Sequence, residues 1–189
     1  MRKIGKAQPH DLLSLAKCFR RVEADLIDRG DGPLAEDLTK EGDFTLAIEE
    51  GTLFVSKEGS RVIAACTVSH DLAASFFPKS LSQKKISALL DTILYQGEDL
   101  VVLSCLAVDP AFQRQGNGHL LFQAVAARYS EATFLLSIAE ENKVGRAFFL
   151  AQGFLDAGPY TPFETSVEKT YRLLVKPYKQ DGLCRNIGW

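Results

Sequence analysis

Residues 109–121 read DPAFQRQGNGHLL, with Gly116 and Gly118 spaced by one residue beside Gln113, Arg114 and Gln115. An apolar run, CLAV, ends just before this stretch, and a helical pattern, LLFQAVAA, begins just after it. A strand that enters a loop and then a helix presents the unpaired N–H groups of the helix's first turn, which carry a partial positive charge. Glycines there remove Cβ atoms and let an anion approach the backbone, with polyphosphate the usual guest. Arg114 adds positive charge, whereas Gln113 and Gln115 hydrogen-bond without adding any. The same glycines also suit a plain strand-to-helix turn that needs positive φ at one position. Spacing alone does not separate the two readings.

Three phosphate-binding patterns compete for this loop. A P-loop needs a lysine after its last glycine, and His119 follows Gly118. The dinucleotide pattern G-x-G-x-x-G needs glycine where Leu121 stands, and an acidic residue about 20 positions on, for which Glu131 is too near. The third, Q/R-x-x-G-x-G/A, is matched in full by Gln113-Arg114-Gln115-Gly116-Asn117-Gly118, preceded by Val108-Asp109-Pro110-Ala111-Phe112. Further on, Asn142, Gly145, Phe149, Gly153 and Phe154 keep the spacing of N-x-x-A-x-x-x-Y-x-x-x-G-F, with Gly145 for the alanine and Phe149 for the tyrosine. In these two motifs, in this order and one helix and one strand apart, the sequence resembles the GCN5-related N-acetyltransferase (GNAT) superfamily. The matched core spans 100–158, and the order of elements extends the likeness over 1–175.

The resemblance implies acetyl-CoA as cosubstrate, with no metal, lying in an opening between two parallel strands, 100–108 and 133–139. Backbone groups of Leu106 and Val108 then pair with the pantetheine arm as an added strand would. The N–H groups of Gln115, Gly116, Asn117, Gly118 and His119 face the pyrophosphate, with Gln113 and Arg114 at the rim. His119 contributes its backbone rather than its imidazole. Asn142 bonds the pantetheine, Arg146 reaches the adenosine side, and Phe149 lines the site in place of the tyrosine.

The implied reaction is acetyl transfer to a primary amine, of a small molecule rather than a protein or peptide, by direct attack in a ternary complex. A lysine-like amine, with pKa about 10.4, must first lose a proton. A backbone N–H near Leu106 meets the oxyanion. In much of the family the tyrosine protonates the leaving thiolate, which Phe149 cannot do. Ser104, Cys105 and Tyr160 are the candidate replacements. The alternative is a CoA-binding module of the same fold with weak or no transfer. The general base is open: His70, a histidine at the end of the hairpin strand, is the first choice, with Glu98 and Asp99 behind it. The acceptor site is expected from the first third of the chain, where Glu23, Asp25, Asp28, Asp31, Glu36 and Asp37 suit a cationic amine as well as a solvated acidic face.

The elements that must position these residues follow from periodicity. Residues 2–7 predict a strand, and Leu12 to Leu26 recur at helical spacing after Pro9. A helical piece follows over 34–50, with Asp43 as the cap of its last part. Strands 52–57 and 61–69 make a hairpin, and 80–96 predicts a helix capped by Ser80 or Ser82. The nearly continuous apolar run 100–108 predicts a strand covered on both faces. Helix 117–129, strand 133–139, helix 142–152 and strands 154–158 and 167–175 complete the order. The fold class is α/β (α+β): a single domain over 1–175 with a tail at 176–189. Its central sheet is mixed but mostly antiparallel, of about six or seven strands, splayed between the two parallel ones and flanked by helices.

The totals narrow the partners. With 189 residues, 46% apolar and 24% charged, the chain suits one soluble domain. A net charge of −2 gives no bulk attraction for nucleic acid or an anionic membrane. No signal-peptide-like stretch opens MRKIGKAQPHDLL, so the expected location is the cytoplasm. Cys18, Cys66, Cys105 and Cys184 read as reduced, mostly buried thiols, and the three histidines show no metal-ligand spacing. Dimers are common among similar proteins, so a homodimer is one expectation.

Overall fold

The computed structural model describes residues 2–30, 41–70, 99–161 and 170–178, together with Ala88 and Asp91. The elements run β1 (Arg2–Lys6), a 3-10 turn (Pro9–Asp11), α1 (Leu12–Asp28), α2 (Glu41–Glu49), β2 (Leu53–Glu58), β3 (Arg61–Ser69) and β4 (Leu100–Val108). A second 3-10 turn (Pro110–Phe112), α3 (Asn117–Arg128), β5 (Thr133–Ala139), α4 (Lys143–Ala151), β6 (Leu155–Tyr160) and β7 (Tyr171–Lys176) follow. The seven strands form one sheet in the order β1-β2-β3-β4-β5-β7-β6. β4 and β5 are parallel, with Leu100 opposite Thr133 and Val102 opposite Leu135. The pairs β1/β2, β2/β3, β5/β7 and β6/β7 are antiparallel. This is the mixed α/β architecture expected from the sequence.

Some boundaries differ. Asp43 lies inside α2 rather than at its start, because Glu41 and Gly42 already belong to the helix. Residues 34–40, the helix proposed over 80–96 with its Ser80 or Ser82 cap, Glu98, and the stretch 179–189 lie outside the described residues, although Ala88 and Asp91 are helical. β7 runs to Lys176, so the boundary proposed at 175 falls within a strand.

The chain groups into two compact units, Met1–Val68 with Ser104–Tyr129, and Ser69–Leu103 with Ser130–Trp189. In the first, the helical spacing of α1 puts Leu15, Phe19 and Val22 on one face, which packs with Phe44, Leu53 and Val55. The Phe19 and Phe44 rings stack at 4.8 Å in a tilted geometry. Burying a ring such as Phe19 contributes about 1.5–3 kcal/mol. Cys18 and Cys105 share this core, and Cys66 is also buried. In the second unit, β5 and β7 cover one another's backbone from Phe134 opposite Lys176 to Ala139 opposite Tyr171. Their buried residues Leu135, Leu136, Leu173, Leu174 and Val175 form its interior.

Where β4 ends, Asp109 is fully buried in the first unit. Its Oδ2 accepts from Arg21 of α1 (Nε at 2.8 Å) and from Arg61 of β3 (Nη2 at 2.9 Å), while Oδ1 accepts from Ala111 N–H at 3.1 Å. Burial alone raises the pKa of a carboxyl group, but the Arg61 bond, the Ala111 N–H and Arg21 outweigh it and hold Asp109 below its ordinary 3.8. A depressed folded-state pKa contributes stability that is complete above the unfolded value and is lost as pH falls through the folded one. Two outcomes are expected. Asp109→Ala loses about 3 kcal/mol, the low end for a broken buried pair, because the stranded guanidiniums are partly exposed and water can take them. Asp109→Asn flattens part of the acid loss of stability. Urea titrations of wild type and both variants, from neutral pH into the acid range, check both.

Candidate functional site

Along β4 the alternation of faces decides what can meet a ligand. Val101, Leu103, Cys105 and Ala107 are buried, whereas Ser104 is exposed and Leu106 and Val108 are half-buried. The run that reads as covered on both faces is therefore covered on one in its second half. Cys105 is corrected to a core residue: it packs in the α1 cluster, and burial, then the Cys18 thiol, push it up to about 12. It is no proton donor to an open site.

The loop after β4 is held by its own side chains, all within the first unit. Gln113 Nε2 donates to Val108 O at 3.1 Å and Gln115 Nε2 to Ala111 O at 3.1 Å. Asn117 Nδ2 donates to Phe112 O at 2.7 Å, and Arg2 Nη2 reaches Gln115 Oε1 at 3.4 Å. The Arg61 guanidinium sits 4.8 Å from the centre of the Phe112 ring, a cation–π contact. Gln113 thus braces the loop instead of standing loose at its rim, and Val108 O already accepts one bond. Asn117 is buried with its Oδ1 unpaired among the described residues, so it is more than the start of a helix.

The two glycines differ in conformation. Gly116 is the N-cap of α3 in the left-handed region, φ +78°. Gly118 lies within the first turn of the helix, where no positive φ is required. Arg114 is also left-handed, at φ 58°. Leu120 N–H donates to Gly116 O at 2.9 Å. The N–H groups of Asn117, Gly118 and His119 precede it, as the first turn of any helix requires. Arg114 is exposed and makes no ion pair among the described residues. A helix N-terminus, two left-handed residues around Gln115 and a guanidinium beside them form a cradle of a shape and charge that could receive an anion.

Asn142, Arg146 and Phe149 fall together in the second unit. Asn142 caps α4, its Oδ1 accepting from Gly145 N–H at 2.8 Å, which leaves Nδ2 as its group for a ligand. A Cβ at Gly145 would lie 2.8 Å from both Asn142 Oδ1 and Ile138 Cδ1, which explains glycine in place of alanine. Arg146 is committed: its Nε donates to Asp156 Oδ2 at 2.7 Å, beside Arg172 Nε at 2.8 Å. Burial raises Asp156, but Arg172, the Gly158 N–H and Arg146 outweigh it and keep the carboxyl below its usual range. Phe149 is buried against Phe148 and Phe154, with ring centroids at 5.1 and 5.3 Å.

Of the remaining candidates, His70 is exposed just past β3, and Asp99 is exposed before β4. Tyr160 ends β6, opposite Tyr171. Glu23 is half-buried, Asp28 is exposed and Asp25 pairs with Arg29, while Asp31, Glu36 and Asp37 lie outside the described residues. Among the described residues, no three His, Cys, Asp or Glu side chains are grouped to hold a metal, and no helix is long and apolar enough to cross a membrane. Sequence reading missed Asp109 and Asp156 as organisers; for Asp109 the signal was an acid directly after a buried strand.

Comparisons with known proteins converge on one family. The family model described as Acetyltransferase (GNAT) family matches residues 25–154. Among curated proteins, none matches the chain. The ribosomal-protein-S18-alanine N-acetyltransferase from Escherichia coli superposes with a TM-score of 0.63 at 18% identity, covering 96% of this chain and 97% of that one. A GNAT-family acetyltransferase from Streptococcus agalactiae 2603 gives 0.70 at 14% identity, covering 95% and 96%. The PaiA N-acetyltransferase from Thermoplasma acidophilum, solved in complex with coenzyme A, gives 0.62 at 13% identity, covering 94% and 99%. At these identities the structural likeness establishes the fold.

At Gly116 an added Cβ meets nothing within 4 Å, so a substitution there costs backbone strain alone. Gly116→Ala is expected to lose about 1–2 kcal/mol and to lower the melting temperature by about 2–8 °C. A thermal melt followed by circular dichroism reads both the loss and the retained fold.

Proposed function

Because the chain belongs to the acetyltransferase (GNAT) family, we propose that it transfers the acetyl group of acetyl-CoA to a primary amine of a small molecule. The observation that carries this reading is the cradle at the start of α3, where Gly116 and Arg114 are left-handed and the first-turn N–H groups stand behind them. A pyrophosphate fits it: two negative charges meet backbone donors, a helix N-terminus and Arg114. The PaiA enzyme, solved with coenzyme A, supports the choice of CoA. The backbone of Leu106 and Val108, on the half-open face of β4, is offered to the pantetheine. No observation favours nucleic acid or membrane as partner.

In the proposed step the amine nitrogen, once deprotonated, forms a bond to the acetyl carbon. The carbon–sulfur bond then breaks and the thiolate leaves. A thiol of pKa about 8.5 is a fair leaving group without a proton donor, so Phe149 does not forbid the reaction. Ser104 is the exposed hydroxyl on β4, and it replaces Cys105 as the donor to test first. His70, exposed past the end of β3, is the proposed base.

A second reading is kept because Phe149 is a buried hydrocarbon ring where much of the family has a hydroxyl. On that reading the chain binds CoA and transfers poorly. CoA at a hundred times its dissociation constant stabilises a binder by about 2.7 kcal/mol, so the melting temperature should rise by about 5–10 °C. Thiol release from acetyl-CoA with a panel of small amines should exceed the hydrolysis background. Binding without turnover, together with a gain of ~10²–10⁴-fold in Phe149→Tyr, would establish the second reading instead. No thermal shift with CoA would sink both.

A further inference from the structure

Arg2 opens β1, the strand at one edge of the sheet, and is exposed. It lies opposite Glu58 of β2, and Glu58 lies opposite Arg61 of β3, so the three side chains leave the sheet on one face. Arg61 turns to Asp109 and the Phe112 ring. Arg2 turns to the loop that opens α3: its Nη2 donates to Gln115 Oε1 at 3.4 Å, across 113 positions of sequence. Gln115 is held for this contact by its own Nε2, which donates to Ala111 O at 3.1 Å. The acceptor is neutral, and Arg2 makes no ion pair among the described residues. Gln115 thus orients the guanidinium without cancelling its charge, and four of its five N–H donors are left for another partner. Charge on an edge strand also discourages pairing with a foreign strand. Lys3 and Lys6 supply that along β1, whereas the reach to Gln115 belongs to Arg2.

Two arginines without an acidic partner among the described residues therefore flank Gln115: Arg114 on the loop itself and Arg2 from β1, both in the first unit. A pyrophosphate in the cradle calls on the backbone donors and Arg114. Coenzyme A carries a further phosphoryl group, the 3′-phosphate of its ribose. A phosphate monoester holds a charge of about −1.5 to −2 at neutral pH, and the planar fork of arginine pairs with it through two hydrogen bonds. Arg146, the cation that the family resemblance directs to the adenosine, is committed to Asp156 at 2.7 Å. We propose, on the basis of coenzyme A as the ligand of the cradle, that Arg2 binds the 3′-phosphate and makes the chain discriminate coenzyme A from its 3′-dephospho form.

Titration calorimetry of the full chain with coenzyme A and with 3′-dephospho-coenzyme A tests this. Wild type is expected to bind coenzyme A about tenfold more tightly, as one charged hydrogen-bonded contact implies. The gap should narrow as salt is raised, because the pair is exposed. Arg2→Gln should weaken coenzyme A by most of that factor and leave the dephospho form unchanged. Arg2→Lys should keep part of the preference, since it restores the charge but not the fork. Arg114→Gln should weaken both ligands together. Arg2 is exposed, so its variants keep the fold, which circular dichroism checks. Equal wild-type affinities overturn the proposal and leave coenzyme A as the ligand of the cradle. A preference that survives in Arg2→Gln, or that vanishes in Arg114→Gln alone, overturns it in the same way. Binding of neither form overturns the proposal and the reading of the cradle together.

Discussion

The cradle depends on one buried carboxylate. Asp109 sits where β4 stops, and its side chain has no access to water. An uncompensated charge there would be untenable, so its partners are obligatory. They come from α1, from β3 and from the loop's own Ala111. One side chain therefore ties three separate elements to the point at which the chain turns toward α3. Arg61 extends the tie by lying over Phe112, whose carbonyl in turn receives Asn117. The path from the buried acid to the helix's first turn is continuous, in residues that touch one another.

This explains how the loop keeps an unfavourable shape. Arg114 is left-handed, which costs a residue with a Cβ roughly 1–2 kcal/mol. Such a conformation persists when its surroundings over-determine it. Here Gln113 is bonded back to Val108, Gln115 back to Ala111, and Asn117 back to Phe112. Every second residue of the loop is closed onto the backbone behind it. The N–H groups are thus aimed by the protein before any anion arrives. On the proposed function, binding would not have to order the loop, a cost that otherwise weakens affinity.

What the sequence reveals and conceals follows the range of the interactions. Strand β5 is legible to the residue, because a short apolar run bounded by turn residues admits few alternatives. The role of Gly116 is legible as well, since positive φ is a local demand. The phase of β4 is not, because LVVLSCLAV is apolar in both registers and only packing shows that Cys105 points inward and Ser104 outward. The absence of a cap at Asp43 is not legible, because Gly42 and Asp43 are residue types that favour a turn, while the helix runs through them. Asp109 as an organiser was concealed because its partners stand 88 and 48 positions away. Gly145 shows the same limit: the reason for glycine is Ile138, on the preceding strand.

The distribution of arginines bears on the phosphate site proposed at the start of α3. The chain is net negative, so a polyanion gains nothing from its overall field. Arg21 and Arg61 share the carboxylate of Asp109, and Arg146 and Arg172 share that of Asp156. Arg114 stands apart from these pairs, exposed in the loop that opens α3. On the proposed function, Arg114 adds positive charge beside the backbone donors of the first turn of α3. Aimed N–H groups carry no net charge, so most of the recognition is short-ranged and geometric.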